Sequence, residues 1–252
     1  MLINTVVLLL RDALPTFVLI ALLLNTAKSP LNQPLLLTVS SILGAVFSII
    51  LMQLVVTTAD WWAGTGNEIL FSAILLVFYG IACLHLVSRQ ASPQWYEFAL
   101  VLSLISISIA LNGSSLYTYL YSYWSRGEGN IMILGTLLGI GISLCVAVIL
   151  YYIAQWLTHI QPYAAKALLT FHVAGQMNQI ILYLEQVGWV SINTPIWDTQ
   201  WLVSERSELG HLLTALIGYK EAPSAFYLGL FVLWIAIPTL WHMLYQYRSR
   251  TL

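Results

Sequence analysis

The sequence predicts an all-α, polytopic membrane protein. Of its 252 residues, 60% are hydrophobic and only 8% are charged. Covering a soluble globule takes about a quarter of residues charged. Mean hydropathy is +0.84, and apolar runs of bilayer-crossing length recur from end to end. The net charge of −1 offers no basic field to nucleic acid. The lipid bilayer is the expected surrounding.

A span needs about 20 apolar residues. Seven are expected, over residues 2–24, 35–57, 68–88, 97–120, 131–155, 162–188 and 224–246. Together they make one integral membrane domain, 1–252. The first run lacks a cationic start and a small-residue cleavage site, so it is expected to stay as a span. The short connections carry the turn formers and most of the charges. The long one, 189–223, holds Trp189, Trp197, Trp201, four acids and a short amphipathic stretch. It is expected to lie on the outer membrane surface. Cys83 and Cys145 fall inside apolar runs and read as buried packing residues.

Loop cations set the orientation. Lys28, Arg89, Lys166, Arg248 and Arg250 share the side of the C-terminus, against Arg126, Arg206 and Lys220 on the other. The bias puts the C-terminus in the cytoplasm and the N-terminus outside. Asp60, Glu128, Asp198, Glu205, Glu208 and Glu221 then fall outside, with Glu68 near that edge. An acidic outer face concentrates cations.

An internal echo links the second and fifth spans. "ILGAVFSI" (42–49) resembles "LLGIGISL" (137–144), matching Gly44 to Gly139 and Ser48 to Ser143. Spans one to three and four to six then form a 3+3 inverted repeat, followed by a seventh helix. Inverted repeats put a transporter's site at the midplane, on interrupted helices. The same glycines also suit close helix packing, as in Gly135-x3-Gly139.

Polar residues inside the spans mark the candidate pathway. Arg11 and Asp12 lie near the centre of span one, where each costs about 2.5–3.5 kcal/mol. Adjacent residues point about 100° apart on a helix, so the two can pair or serve separate partners. Pro15 removes the helical donor of the Arg11 carbonyl, leaving an oxygen beside Asp12. Thr16 shares the face of Asp12. Carboxylate, carbonyl and hydroxyl suit a hard cation, with Asp12 as the metal ligand. The alternative is an ordinary kink repaired by a neighbour. Span four carries "NGSS" at 112–115, expected to interrupt the helix, and makes Asn112 and Ser115 candidates. Span six carries His172, Gln176 and Gln179 on one stripe, which must face protein or a pore. No HExxH, GxSxG or P-loop motif is present, so neither an enzyme nor ATP coupling is expected.

With these residues in view, the chain resembles the iron permease family, which includes the oxidase-dependent high-affinity permeases and the bacterial ferrous-iron permeases. The family's hallmark is Arg-Glu-Gly-x-Glu in spans one and four. Here the first copy reads Arg11-Asp12-Ala13-Leu14-Pro15 and the second Leu111-Asn112-Gly113-Ser114-Ser115. The stretch "PIWDTQWLVSERSELGHLLTALIGYKEAPS" (195–224) is similar to the family's segment before its last span. The resemblance implies seven spans, an N-terminus outside and a bacterial inner (plasma) membrane. It implies iron as a transported substrate, not a permanently bound cofactor, and a periplasmic iron-binding protein or oxidase as partner. Two other readings stay open. One is a non-transporting subunit or scaffold that lost the iron ligands. The other is a transporter of a different substrate, using the His172/Gln176/Gln179 stripe.

Overall fold

The computed structural model describes residues 2–27, 32–88, 93–124, 129–190, 195–205 and 207–250. Lys28, Arg89, Arg126, Glu128 and Arg206, which bear on orientation, lie outside the described residues. The chain folds into helices α1 (Leu2–Thr26), α2 (Gln33–Thr58), α3 (Gly66–Val87), α4 (Gln94–Trp124), α5 (Gly129–Ile160), α6 (Ala164–Met177), α7 (Gln179–Gln186), α8 (Glu208–Ile217) and α9 (Ala225–Arg250). Among the described residues the one β feature is an isolated bridge between Pro195 and Ser224.

Among the described residues five helices are long and apolar enough to cross a membrane: Thr5–Thr26, Gln33–Thr58, Gly66–Val87, Gln94–Tyr119 and Met132–Ile160. The apolar part of α9, Ala225–Trp241, is shorter. Such helices make a multi-pass membrane protein. In lipid the backbone must satisfy its own polar groups, and helices do so within one segment.

The core forms around α1. Leu14, Val18 and Leu22 line one row, Leu19 and Leu23 the next, and all are buried. They pack with Phe78 and Ala82 of α3, Val101 and Ile105 of α4, and Leu169 and Val173 of α6. Helices α2 and α5 join this core through Leu36 and Ala154 and turn their other faces outward. Ile42, Val46 and Ile49 of α2, and Leu137, Leu144 and Val148 of α5, are exposed, as a lipid-facing surface requires. Cys145 lies on that exposed face of α5. This corrects its expected burial; Cys83 is buried.

Two close contacts join the outer helices to the core. A Cβ on Gly44 of α2 would meet Ile109 of α4 at 2.6 Å, and one on Gly139 of α5 would meet Leu9 of α1 at 2.9 Å. Only glycine allows either approach.

Helix α1 keeps its expected single span, and two other local expectations are corrected. Helix α1 runs unbroken through Pro15: a proline removes one backbone bond, and packing on every side holds the rest. Helix α4 runs unbroken through 112–115. There Asn112 Nδ2 donates to the Ser108 carbonyl (2.9 Å) and Ser114 Oγ to the Leu111 carbonyl (2.9 Å). These polar side chains bond back to their own helix instead of breaking it. The interruption falls in span six. Residues 162–188 split at Asn178 into α6 and α7. Ile181 N–H bonds the Asn178 carbonyl at 3.1 Å, a tight i→i+3 turn.

The connection 189–223 also departs from a surface path. Ser207 caps α8 by accepting from Gly210 N–H (3.0 Å), and Gly218 ends it with a left-handed φ of 67°. Gly218 then seats on Gly175 of α6, so tightly that a Cβ at either residue would overlap the other's backbone. Helix α8 thereby inserts against α6 and α1. Residues 195–205 stay outside it, with Trp201 82% exposed.

Candidate functional site

Arg11 and Asp12 pair with each other. Arg11 Nε donates to Asp12 Oδ1 at 2.7 Å and Nη2 to Oδ2 at 3.3 Å. The two side chains reach each other because the arginine is long enough to bend back over the short aspartate. Asp12's side chain is 9% exposed and that of Arg11 59% exposed. The buried acid is therefore neutralised from its open side, with both oxygens engaged.

One turn along α1, Thr16 faces α4. Its hydroxyl lies 2.9 Å from Ser108 Oγ, and Asn112 Nδ2 donates to it at 3.2 Å. Ser108 and Asn112 stand at i and i+4 on α4, so both side chains meet Thr16. This cluster divides two cavities. The outer one, of about 270 Å³, is lined by Asp12, Ala13, Thr16, Ser41, Asn112 and Gly113 among mostly apolar neighbours. The inner one, of about 10 Å³, is lined by Ser108, Asn112, His172, Gln176 and Gln179, with Leu75, Phe78 and Leu111. That is about the room of one water molecule.

His172 is fully buried. Its Nδ1 donates to the Leu216 carbonyl at the end of α8 (3.2 Å), and the Pro15 backbone is also in hydrogen-bonding reach. Since Pro15 sits near the middle of α1, α8 ends at mid-height of the bundle. The carbonyls of a helix C-terminus carry partial negative charge, and here one of them accepts from the buried His172 imidazole. Gln179 Nε2 donates to Gln176 Oε1 (3.1 Å) across the α6–α7 break.

Compared with protein-family models, curated proteins and solved structures, the chain finds no match. Its chemistry is therefore read from the site itself.

The structure brings Asp12, Thr16 and Asn112 into one cavity, and Asn112, His172 and Gln176 into the next. Pro15 is buried beside them on α1. Ser115 points outward on an exposed face of α4 and lines neither cavity. Ser108 is absent from the sequence-based candidates. Its signal was present, one turn before Asn112 on the same face. Among the described residues, no three His, Cys, Asp or Glu side chains gather closely enough to hold a metal ion. What the arrangement offers a cation is a single carboxylate, then hydroxyl and amide groups in file.

Proposed function

We propose that the chain is an iron-permease-like transporter that moves a metal cation, with iron as its substrate, across the bacterial inner membrane. The observation that carries this reading is the outer cavity between α1 and α4. Aligning Arg11 with Leu111 makes Leu9, Asp12, Ala13 and Thr16 equivalent to Ile109, Asn112, Gly113 and Leu116. All eight line that cavity. A site on the axis between two repeats is the arrangement that inverted-repeat transporters use.

Seven spans fit this reading, with α6 and α7 together as the sixth and α9 as the seventh. The N-terminus lies outside and the C-terminus in the cytoplasm. The repeat is supported by the two glycine contacts. Gly44 packs on Ile109 and Gly139 on Leu9; Leu9 matches Ile109 in this alignment, and Gly44 matches Gly139 in the echo between spans two and five. In this mechanism a cation enters the outer cavity and displaces Arg11 from Asp12. Thr16 and Asn112 pass it to the inner cavity, whose size admits a single stripped ion. His172, Gln176 and Gln179 line the way out. One carboxylate holds a cation weakly, which suits transit over storage. A periplasmic iron-binding protein or an oxidase would deliver the ion.

The closed Arg11–Asp12 pair favours a second reading, a non-transporting membrane subunit in which the pair is structural. Radiolabelled iron uptake by cells expressing the wild type and Asp12→Ala separates the two. Transport predicts uptake by the wild type and loss in the variant. Equal uptake by both removes Asp12 from the path.

A further inference from the structure

We propose that Glu68 and Ser72 of α3 form a cation-binding mouth above the inner cavity. This deepens the transport reading and rests on it for the direction of flow. Glu68 stands in the first turn of α3 and Ser72 one turn further along. With Leu75 they make one stripe on that helix. Leu75 lines the inner cavity, so the stripe runs from the cavity to the outer end of α3. Helix α7 faces it. Phe71 of α3 stacks on Tyr183 of α7, with ring centroids 5.7 Å apart. Tyr183 stands one turn beyond Gln179, which lines the same cavity, and lies within electrostatic reach of both Glu68 and Asp12.

Two oxygens in this seam are buried with no hydrogen-bond partner among the described residues: Glu68 Oε2 and Ser72 Oγ. A buried carboxylate oxygen with no donor is costly, and a chain can avoid that cost with glutamine or leucine. A cation would satisfy both atoms at once. Carboxylate, hydroxyl and phenol are hard donors, matched to a small divalent cation. Leu75 and Gln179 continue the seam into the inner cavity, so the mouth adds a second carboxylate to the one in span one.

Mn2+ binding to the purified protein, followed by electron paramagnetic resonance, tests the mouth apart from transport. Glu68→Gln should weaken binding by about tenfold, as loss of a metal-supporting group does, and Ser72→Ala by less. Asp12→Asn should leave the Glu68 site occupied. Glu68→Gln should also melt at a higher temperature than the wild type without metal, showing that it folds. Unchanged Mn2+ affinity in Glu68→Gln, or no binding by the wild type, overturns the proposal. Equal iron uptake by wild type and Asp12→Ala with Glu68-dependent Mn2+ binding intact would instead count against the transport reading alone.

Discussion

Asp12 and Glu68 are both acids set against the helical body, and their surroundings treat them in opposite ways. Asp12 has a guanidinium on both oxygens. Glu68 keeps one oxygen buried with no hydrogen-bond partner among the described residues. The first arrangement stabilises the resting fold and must open to bind a cation. The second costs stability and is open already. Reading both as parts of one path explains why the chain tolerates each: a cation binds the unsatisfied acid directly, and must compete with Arg11 for the satisfied one.

The comparison breaks most readily at Arg11. Arg11→Ala leaves Asp12 buried without its partner. Breaking a fully buried pair costs about 3–5 kcal/mol. Arg11 is more than half exposed, so screening reduces this to about 1–3 kcal/mol. Unfolding in detergent should show that loss, and Arg11→Ala with Asp12→Asn should recover most of it. No loss in the single variant would mean that solvent, not Arg11, neutralises Asp12.

Asn112→Leu is the next largest. It removes the donor to Thr16 while Thr16 and Ser108 keep each other, so about 1 kcal/mol is expected. A larger loss would mark the cluster as the main tie between α1 and α4. Glu68→Gln has the smallest effect and the opposite sign. Replacing a buried carboxylate by an amide that donates should raise the melting temperature by about 2 °C. A fall would show that the carboxylate already has a stabilising partner.

Much of the fold is legible in the chain because lipid imposes few rules. Five spans stand out by length and hydropathy, and the caps of α8 can be read from Ser207 and Gly218. The misread places share one cause: neighbours, not local propensity, decide them. The 112–115 stretch looks like a break, yet back-bonded side chains keep α4 whole. Asn178, flanked by good helix formers, carries the break instead. The docking of α8 rests on the Gly175–Gly218 backbone contact, which leaves no apolar signature. In the candidate site, Asp12, Thr16 and Asn112 were readable from depth and spacing. Glu68 looked like an ordinary edge charge because its sequence gives no sign that one carboxylate oxygen is buried once the helices pack.

The central claim is that a metal cation crosses this protein by way of Asp12. The most direct measurement is iron flux into liposomes holding the purified protein, read by an iron-quenched dye inside. The account predicts flux with the wild type, loss with Asp12→Ala, and a gain with Pro15→Glu, which adds a carboxylate one turn from Asp12. No flux with the wild type, or equal flux with Asp12→Ala, would contradict it.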